Sequence, residues 1–331
     1  MDINIPMIYS YLSDRLGNNL FQIAAGYSHA IKNNTTYCAI IPRQTMPNGY
    51  TLKENIEKYK KNIFRKIAFC EEGNFPPNND RYYQNPKIFA PIPNLETLEL
   101  HGFFQDYRYI TARKEIIELF SIEENSLNQI NSKYINLLTQ NSISVHIRRK
   151  DYLKFNTRME LRKFSLKYYK KAIKLMTSKY PDAIFLVFSD DIDFCKQQFK
   201  GDNFYFISNS EDYIDLYLMS LCKHNIICNS SFSWWGAWLN LSPQKTVIAP
   251  QKWYGIAHKQ QNGEIIPPEW IRIYNPQNFI TCVTDWLYYP YYKIRKFILN
   301  CSIFLLIKMT HCMKVGYVSF IGLQVVMISS F

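Results

Sequence analysis

The run Ser144-Val145-His146-Ile147-Arg148-Arg149-Lys150-Asp151-Tyr152 decides how the rest of the chain is read. Ile143 to Arg148 has the apolar character of a buried strand, and the strand delivers a histidine, two arginines, a lysine and an aspartate to its carboxyl end. In parallel α/β sheets ligands bind at that edge. Arginine grips phosphate through paired N–H donors, and a diphosphate needs several of them. Asp151 has three readings: holding an arginine, contacting a sugar, or serving as a base. Adjacent arginines are commonly plain surface charge. Their position between an apolar strand and Asp151-Tyr152 favours a diphosphate grip.

Outward from this run the chain alternates. Downstream, helices are expected over Ser165–Lys179, Asp193–Gln198 and Glu211–Cys222. Strands are expected over Ala183–Phe188, Phe204–Ile207 and Asn225–Cys228, with Val247–Ala249 the last of them. That spacing predicts a parallel sheet covered by helices on both faces. Upstream, Met7–Leu12 reads as a strand, Ser13–Asn19 as a turn and Leu20–Ile31 as an amphipathic helix. Thr35–Ile41 reads as a strand, Leu98–Gln105 as a strand ending in an aromatic loop, residues 71–94 as one long surface loop, and Lys114–Leu138 as helix with a break near Ser126. No glycine fingerprint for a nicotinamide dinucleotide is present. The division expected is 1–140, 141–275 and a tail, 276–331.

The 331 residues allow two domains, and 47% hydrophobic against 20% charged residues allows a large core. The formal net charge of +12 is compatible with nucleic acid, an anionic membrane or a phosphorylated substrate. The charges are dispersed and no nucleic-acid-binding signature accompanies them, so no nucleic-acid partner is expected. Eight cysteines without C-x-x-C or zinc spacing read as reduced thiols. The first residues, with Asp2, Asn4 and Pro6, lack the apolar segment of a secretory signal, so a cytoplasmic active site is expected.

Two further runs carry chemistry. Phe188-Ser189-Asp190-Asp191 follows an apolar strand; paired carboxylates there suit a metal, a guanine or a ribose, and also a helix N-cap. Asn229-Ser230-Ser231-Phe232-Ser233-Trp234-Trp235-Gly236 places hydroxyl residues between a strand and a helix, where backbone N–H groups point at an anion. A capping box with buried tryptophans is the plainer reading, but the hydroxyl density exceeds what capping needs.

With Leu16-Gly17-Asn18-Asn19-Leu20-Phe21-Gln22 and Glu211-Asp212 through Cys222-Lys223-His224-Asn225, these runs resemble, in order and spacing over residues 7–273, the glycosyltransferase 11 family of α-1,2-fucosyltransferases. Asp14 and Arg15 stand where that family tends to carry Gly-Gly, Asn19 where it carries Gln, and Lys150 where it carries Gly.

The resemblance implies a GT-B-like α/β fold: two Rossmann-like domains facing a cleft, 1–140 on the acceptor side and 141–275 binding the nucleotide sugar. It implies inverting transfer of L-fucose from GDP-β-L-fucose, a co-substrate, to the 2-hydroxyl of a galactose-type residue, with no metal or other cofactor. Arg148 or Arg149 would hold the β-phosphate. His146 and the pair Asp190 and Asp191 would lie near guanosine, and Asn18 would reach the donor from the facing loop. Asn229, Ser230, Ser231, Phe232 and Ser233 would line the donor site, and Asp151 is the candidate base. The acceptor would be a galactose-terminated glycan or a lipid-linked oligosaccharide in surface-glycan synthesis.

The tail lies outside the resemblance. Tyr288 to Lys296 is aromatic and basic, and Phe297–Ile307 and Val315–Phe331 are apolar runs, each short for a span of about 20 residues. It reads either as a peripheral tether at the inner face of the cell membrane or as a helix pair packed on the core.

Overall fold

The computed structural model describes residues 6–43, 52–73, 80–86, 88–150, 165–208, 211–255, 264–275 and 286–298. The chain divides into two compact units, Met1–Phe279 and Ile280–Phe331. In the second, residues 286–298 form a helix. The apolar runs of the tail beyond it lie outside the described residues.

The first unit holds two sheets. Strands β1 (Met7–Tyr11), β2 (Thr36–Ile41), β3 (Phe69–Glu71), β4 (Asp80–Tyr83) and β5 (Leu98–His101) pair in the order β3-β2-β1-β5-β4. Strands β6 (Ser142–Ile147), β7 (Ile184–Ser189), β8 (Phe204–Ile207), β9 (His224–Ile226), β10 (Val247–Pro250) and β11 (Ile271–Ile273) pair in the order β11-β10-β9-β6-β7-β8. Every pairing is parallel. The helices are α1 (Leu16–Lys32), α2 (Leu52–Tyr59), α3 (Arg113–Leu119), α4 (Glu124–Leu138), α5 (Leu166–Lys179), α6 (Ile192–Gln198), α7 (Asp212–Leu221) and α8 (Ser231–Trp238). The fold is the expected GT-B-like α/β arrangement.

The central strands are apolar because both their faces are covered. On β7, Phe185 and Val187 share a core with Tyr168, Ala172 and Met176 of α5. Leu186 and Phe188 turn instead to a larger core with Leu216 of α7 and Trp234 of α8. That larger core also takes Leu12, Leu16, Leu20 and Phe21 from the first sheet and its helix. The ring of Phe21 lies 4.5 Å from Trp234 and 5.2 Å from Trp235.

Several expected elements need correction. The turn over Ser13–Asn19 ends at Arg15, because Asp14 takes a left-handed φ of 66° and reverses the chain early. Leu16 to Asn19 form the first turn of α1, with Leu16 packed in the core. The loop expected over 71–94 contains β4, an edge strand whose Asp-Arg-Tyr-Tyr composition lacks an apolar run. Val247–Pro250 is followed by one more short edge strand, β11. The break in the helical stretch falls before Ser126, where Glu123 accepts from the N–H groups of Asn125 and Ser126 and starts α4. Cys38, Cys70, Cys195, Cys222 and Cys228 are free thiols.

Candidate active site

The carboxyl end of β1 feeds α1, and the carboxyl end of β9 feeds α8. These two helix N-termini meet. A Cβ on Gly17 would stand 2.5 Å from the Phe232 nitrogen and 2.7 Å from the Ser231 carbonyl carbon, so only glycine admits the approach. Asn18 closes the junction. Its Oδ1 accepts from Ser231 Oγ at 2.8 Å and from Gln105 Nε2 at 2.6 Å, while its Nδ2 donates to Asp14 Oδ2 at 2.7 Å. One amide thus joins α1, the loop after β5 and α8. Neither Arg15 nor Ser230 caps its helix through its side chain. The positive ends of two helix dipoles therefore lie side by side, an arrangement that attracts an anion.

The basic run borders that region from β6. His146 is buried, with Nδ1 3.2 Å from Cys228 Sγ and its ring 5.6 Å from that of Phe232 at the start of α8. Burial, and then the neighbouring Arg148 charge, push its pKa down to about 3, so the imidazole is neutral. Cys228 is pushed up to about 12, chiefly by burial, with the Arg148 charge pulling the other way. Arg149 is turned toward α6: its Nε donates to Asp191 Oδ2 at 2.8 Å and its guanidinium lies 3.7 Å from the centre of the Phe194 ring. Asp190 accepts from the backbone N–H groups of Arg149 at 2.8 Å and Lys150 at 3.2 Å. The two carboxylates thus shape the basic loop from the neighbouring strand end.

The serine-rich run divides its work. Ser231 is committed to Asn18, and Ser233, buried, donates to the Ser230 carbonyl at 3.3 Å. Asn229 is buried and donates to the Trp253 carbonyl at 2.7 Å. Asp151 lies outside the described residues. The sequence reading missed Gln105, Gly17 as a seat for α8, and Phe194 as the platform under Arg149. Gln105 was visible only as a polar residue closing an aromatic loop. Among the described residues, no group of three or more His, Cys, Asp or Glu is placed to hold a metal ion.

Two parallel sheets whose strands β1 and β9 lead into helices that meet, with a basic loop after β6, place a candidate ligand site at the carboxyl ends of the strands. The family model for glycosyl transferase family 11 matches residues 10–274, and the chain belongs to that family. It is a glycosyltransferase. It is 31% identical to the O-antigen biosynthesis glycosyltransferase WbnK of Escherichia coli, over 80% of this chain and all of that one. It is 30% identical to an alpha-1,2-colitosyltransferase of Escherichia coli, over 81% of this chain and 99% of the other. Among solved structures, the fucosyltransferase NodZ from Bradyrhizobium aligns over 70% of this chain and 92% of its own, at 12% identity and a TM-score of 0.47.

The buried imidazoles have a consequence for acid stability. His224, stacked on Tyr180 with ring centres 3.9 Å apart, is pushed down to about 4 by burial and then by Lys179 and Lys223. Above the ordinary value of 6.5, folded and unfolded histidines are both neutral. Below it the unfolded chain takes up protons that the folded chain refuses, so stability falls as the pH drops from 6.5 toward 4 for His224 and toward 3 for His146. Between pH 6.5 and 5 the unfolding free energy should lose about 1–2 kcal/mol less in His224→Phe than in the parent, measured by urea denaturation.

Proposed function

We propose that the chain transfers L-fucose from GDP-β-L-fucose, with inversion, to the 2-hydroxyl of a galactose-type residue in O-antigen or other surface-glycan synthesis. The observation that carries this is the convergence of the N-termini of α1 and α8, whose positive dipole ends suit a diphosphate. As the sugar ring gains oxocarbenium character, negative charge grows on the β-phosphate. Donors already in place stabilise that charge more in the transition state than in the ground state. In this reading Arg148 holds the β-phosphate, and the N–H groups of Ser231, Phe232 and Ser233 share its charge. Arg149, Asp190 and Asp191 shape the loop and border the nucleoside, with His146 and Asn229 behind it. Asn18 holds the facing domain against the donor site. Residues 141–275 would bind the donor and 1–140 would present the acceptor.

The relative that is named as an alpha-1,2-colitosyltransferase supports the linkage and raises a second reading, in which colitose replaces fucose. A donor screen with GDP-fucose, GDP-colitose, GDP-mannose and UDP-galactose, on lactose and N-acetyllactosamine, separates them. GDP release with GDP-fucose, and a product whose new linkage is α-1,2 by NMR, is expected. Transfer from UDP-galactose alone, or a melting temperature that GDP does not raise, would overturn the reading.

The tail is proposed to rest on an anionic membrane surface. The helix over 286–298 exposes Trp286, Leu287, Ile294 and Phe297 beside Lys293, Arg295 and Lys296, the composition of an interfacial helix. None of the described helices is long and apolar enough to cross a membrane. The full chain should co-sediment with phosphatidylglycerol vesicles and not with phosphatidylcholine vesicles, and Trp286→Ser with Phe297→Ser should abolish this. Equal sedimentation of the double variant would remove the tether.

A further inference from the structure

A second cluster of titratable groups sits at the carboxyl edge of the first sheet, and the donor site does not use it. Glu99 and His101 alternate on β5 and so point to the same face. On the flanking strands, Tyr9 and Arg81 pair in register with Glu99, and Tyr83 pairs with His101. The imidazole of His101 is clamped between two phenol rings: that of Tyr11 at 4.9 Å and 25°, and that of Tyr83 at 4.7 Å and 20°. Its Nε2 lies 2.6 Å from Glu99 Oε1, and Glu99 Oε2 accepts from Arg81 Nε at 3.1 Å. The Glu99 side chain is only 2% exposed and that of His101 is 20% exposed. Beyond these, the groups facing the ring are the phenol of Tyr11, pushed up to about 12 by burial and then by Glu72, and the exposed phenol of Tyr83.

A fold needs none of this. Burying a carboxylate in a strand costs stability unless it is fully paired, and Arg81 alone would pair it. What the arrangement adds is an imidazole locked in orientation. With Nε2–H donated to Glu99, the lone pair on Nδ1 is the ring's remaining acceptor, the relation by which a carboxylate orients a histidine base. The ring also stands at the edge where parallel sheets bind ligands. The segment that follows it is hydrogen-bonded to α1 at the donor junction. The Gly102 carbonyl accepts from Gln22 Nε2 of α1 at 3.0 Å, and Gln105 donates to Asn18, the partner of Ser231.

We propose that His101 is the base for the acceptor hydroxyl. This rests on the reading of the chain as an inverting transferase. The acceptor oxygen forms its bond to the anomeric carbon of the donor sugar as the bond from that carbon to the β-phosphate oxygen breaks, and the electron pair leaves with GDP. The hydroxyl proton passes to His101 Nδ1, and Glu99 stabilises the imidazolium. Asp151, the base suggested by the sequence, then has no proton-transfer role.

The test uses the full chain with His101→Ala, His101→Gln, Glu99→Gln and Asp151→Asn, reading three quantities: the GDP-induced thermal shift, slow donor hydrolysis by water, and kcat for transfer. Expected is a loss of about 10²–10⁴-fold in transfer kcat for both His101 variants, with the GDP shift and donor hydrolysis unchanged. Glu99→Gln should move the acid limb of the kcat/KM profile, and Asp151→Asn should leave that limb in place. Transfer within about threefold of the parent in His101→Gln would overturn the assignment, as would loss of the GDP shift together with transfer. A parent enzyme without any GDP shift would instead overturn the functional reading beneath it.

Discussion

In Arg148→Ala, transfer from GDP-fucose should fall by about 10²–10³-fold in kcat, the usual cost of removing one fixed donor from a site of developing negative charge. The two adjacent arginines differ in their surroundings. Arg148 is near enough to the buried His146 and Cys228 for its charge to act on both. Arg149 has its Nε on Asp191 and its guanidinium over Phe194. Arg149→Ala should therefore disturb loop order and raise KM, with a smaller fall in kcat. Arg148→Lys should rescue little, because a point charge does not reproduce a planar fork. Steady-state kinetics on the purified variants decide it. An Arg148→Ala enzyme that keeps more than about a tenth of the parent kcat would remove the arginine from the transition state.

The second large effect is expected from Gly17→Val. The first added carbon already collides with the backbone of Ser231 and Phe232, which cannot swing aside as a side chain can. Helix α1 must shift, and with it the Asn18–Ser231 hydrogen bond. Overpacking of this kind costs about 1–3 kcal/mol. Misplacing a reacting partner by about 1 Å can cost about 10²-fold in rate. The variant should therefore remain folded by circular dichroism, melt several degrees lower, and lose transfer almost completely. Unchanged kinetics in a folded Gly17→Val protein would show that the contact between α1 and α8 does not set the site.

The second sheet was the more legible half. Strands such as β7, buried on both faces, are written as unbroken apolar runs, and the helices between them show clear periodicity. The edge strands β4 and β11 were missed because pairing on one side only asks little of composition. The site was legible as motifs and illegible as geometry. Asp14 departs from the family's glycine yet adopts the left-handed backbone a glycine would supply. It returns the favour to the loop by accepting from Asn18. The functions of Asp190 and Asp191 toward Arg149 and Lys150 depend on β6 and β7 lying in register, a long-range fact. The pairing of Glu99 with His101 is written openly at a spacing of two residues, but its significance depends on tyrosines from two other strands.

The aromatic core shared by both sheets bears on how such enzymes can be recombined. Phe21 packs on Trp234 and Trp235, and Trp235 in turn meets Phe120. A chimera joined near residue 140 would import one half of this cluster without the other. It should precipitate or melt early unless the rings are exchanged together. In the intact chain the same continuity predicts a single calorimetric transition for the catalytic unit. New acceptor preferences are then more readily acquired by altering the loops at the strand ends than by shuffling whole halves.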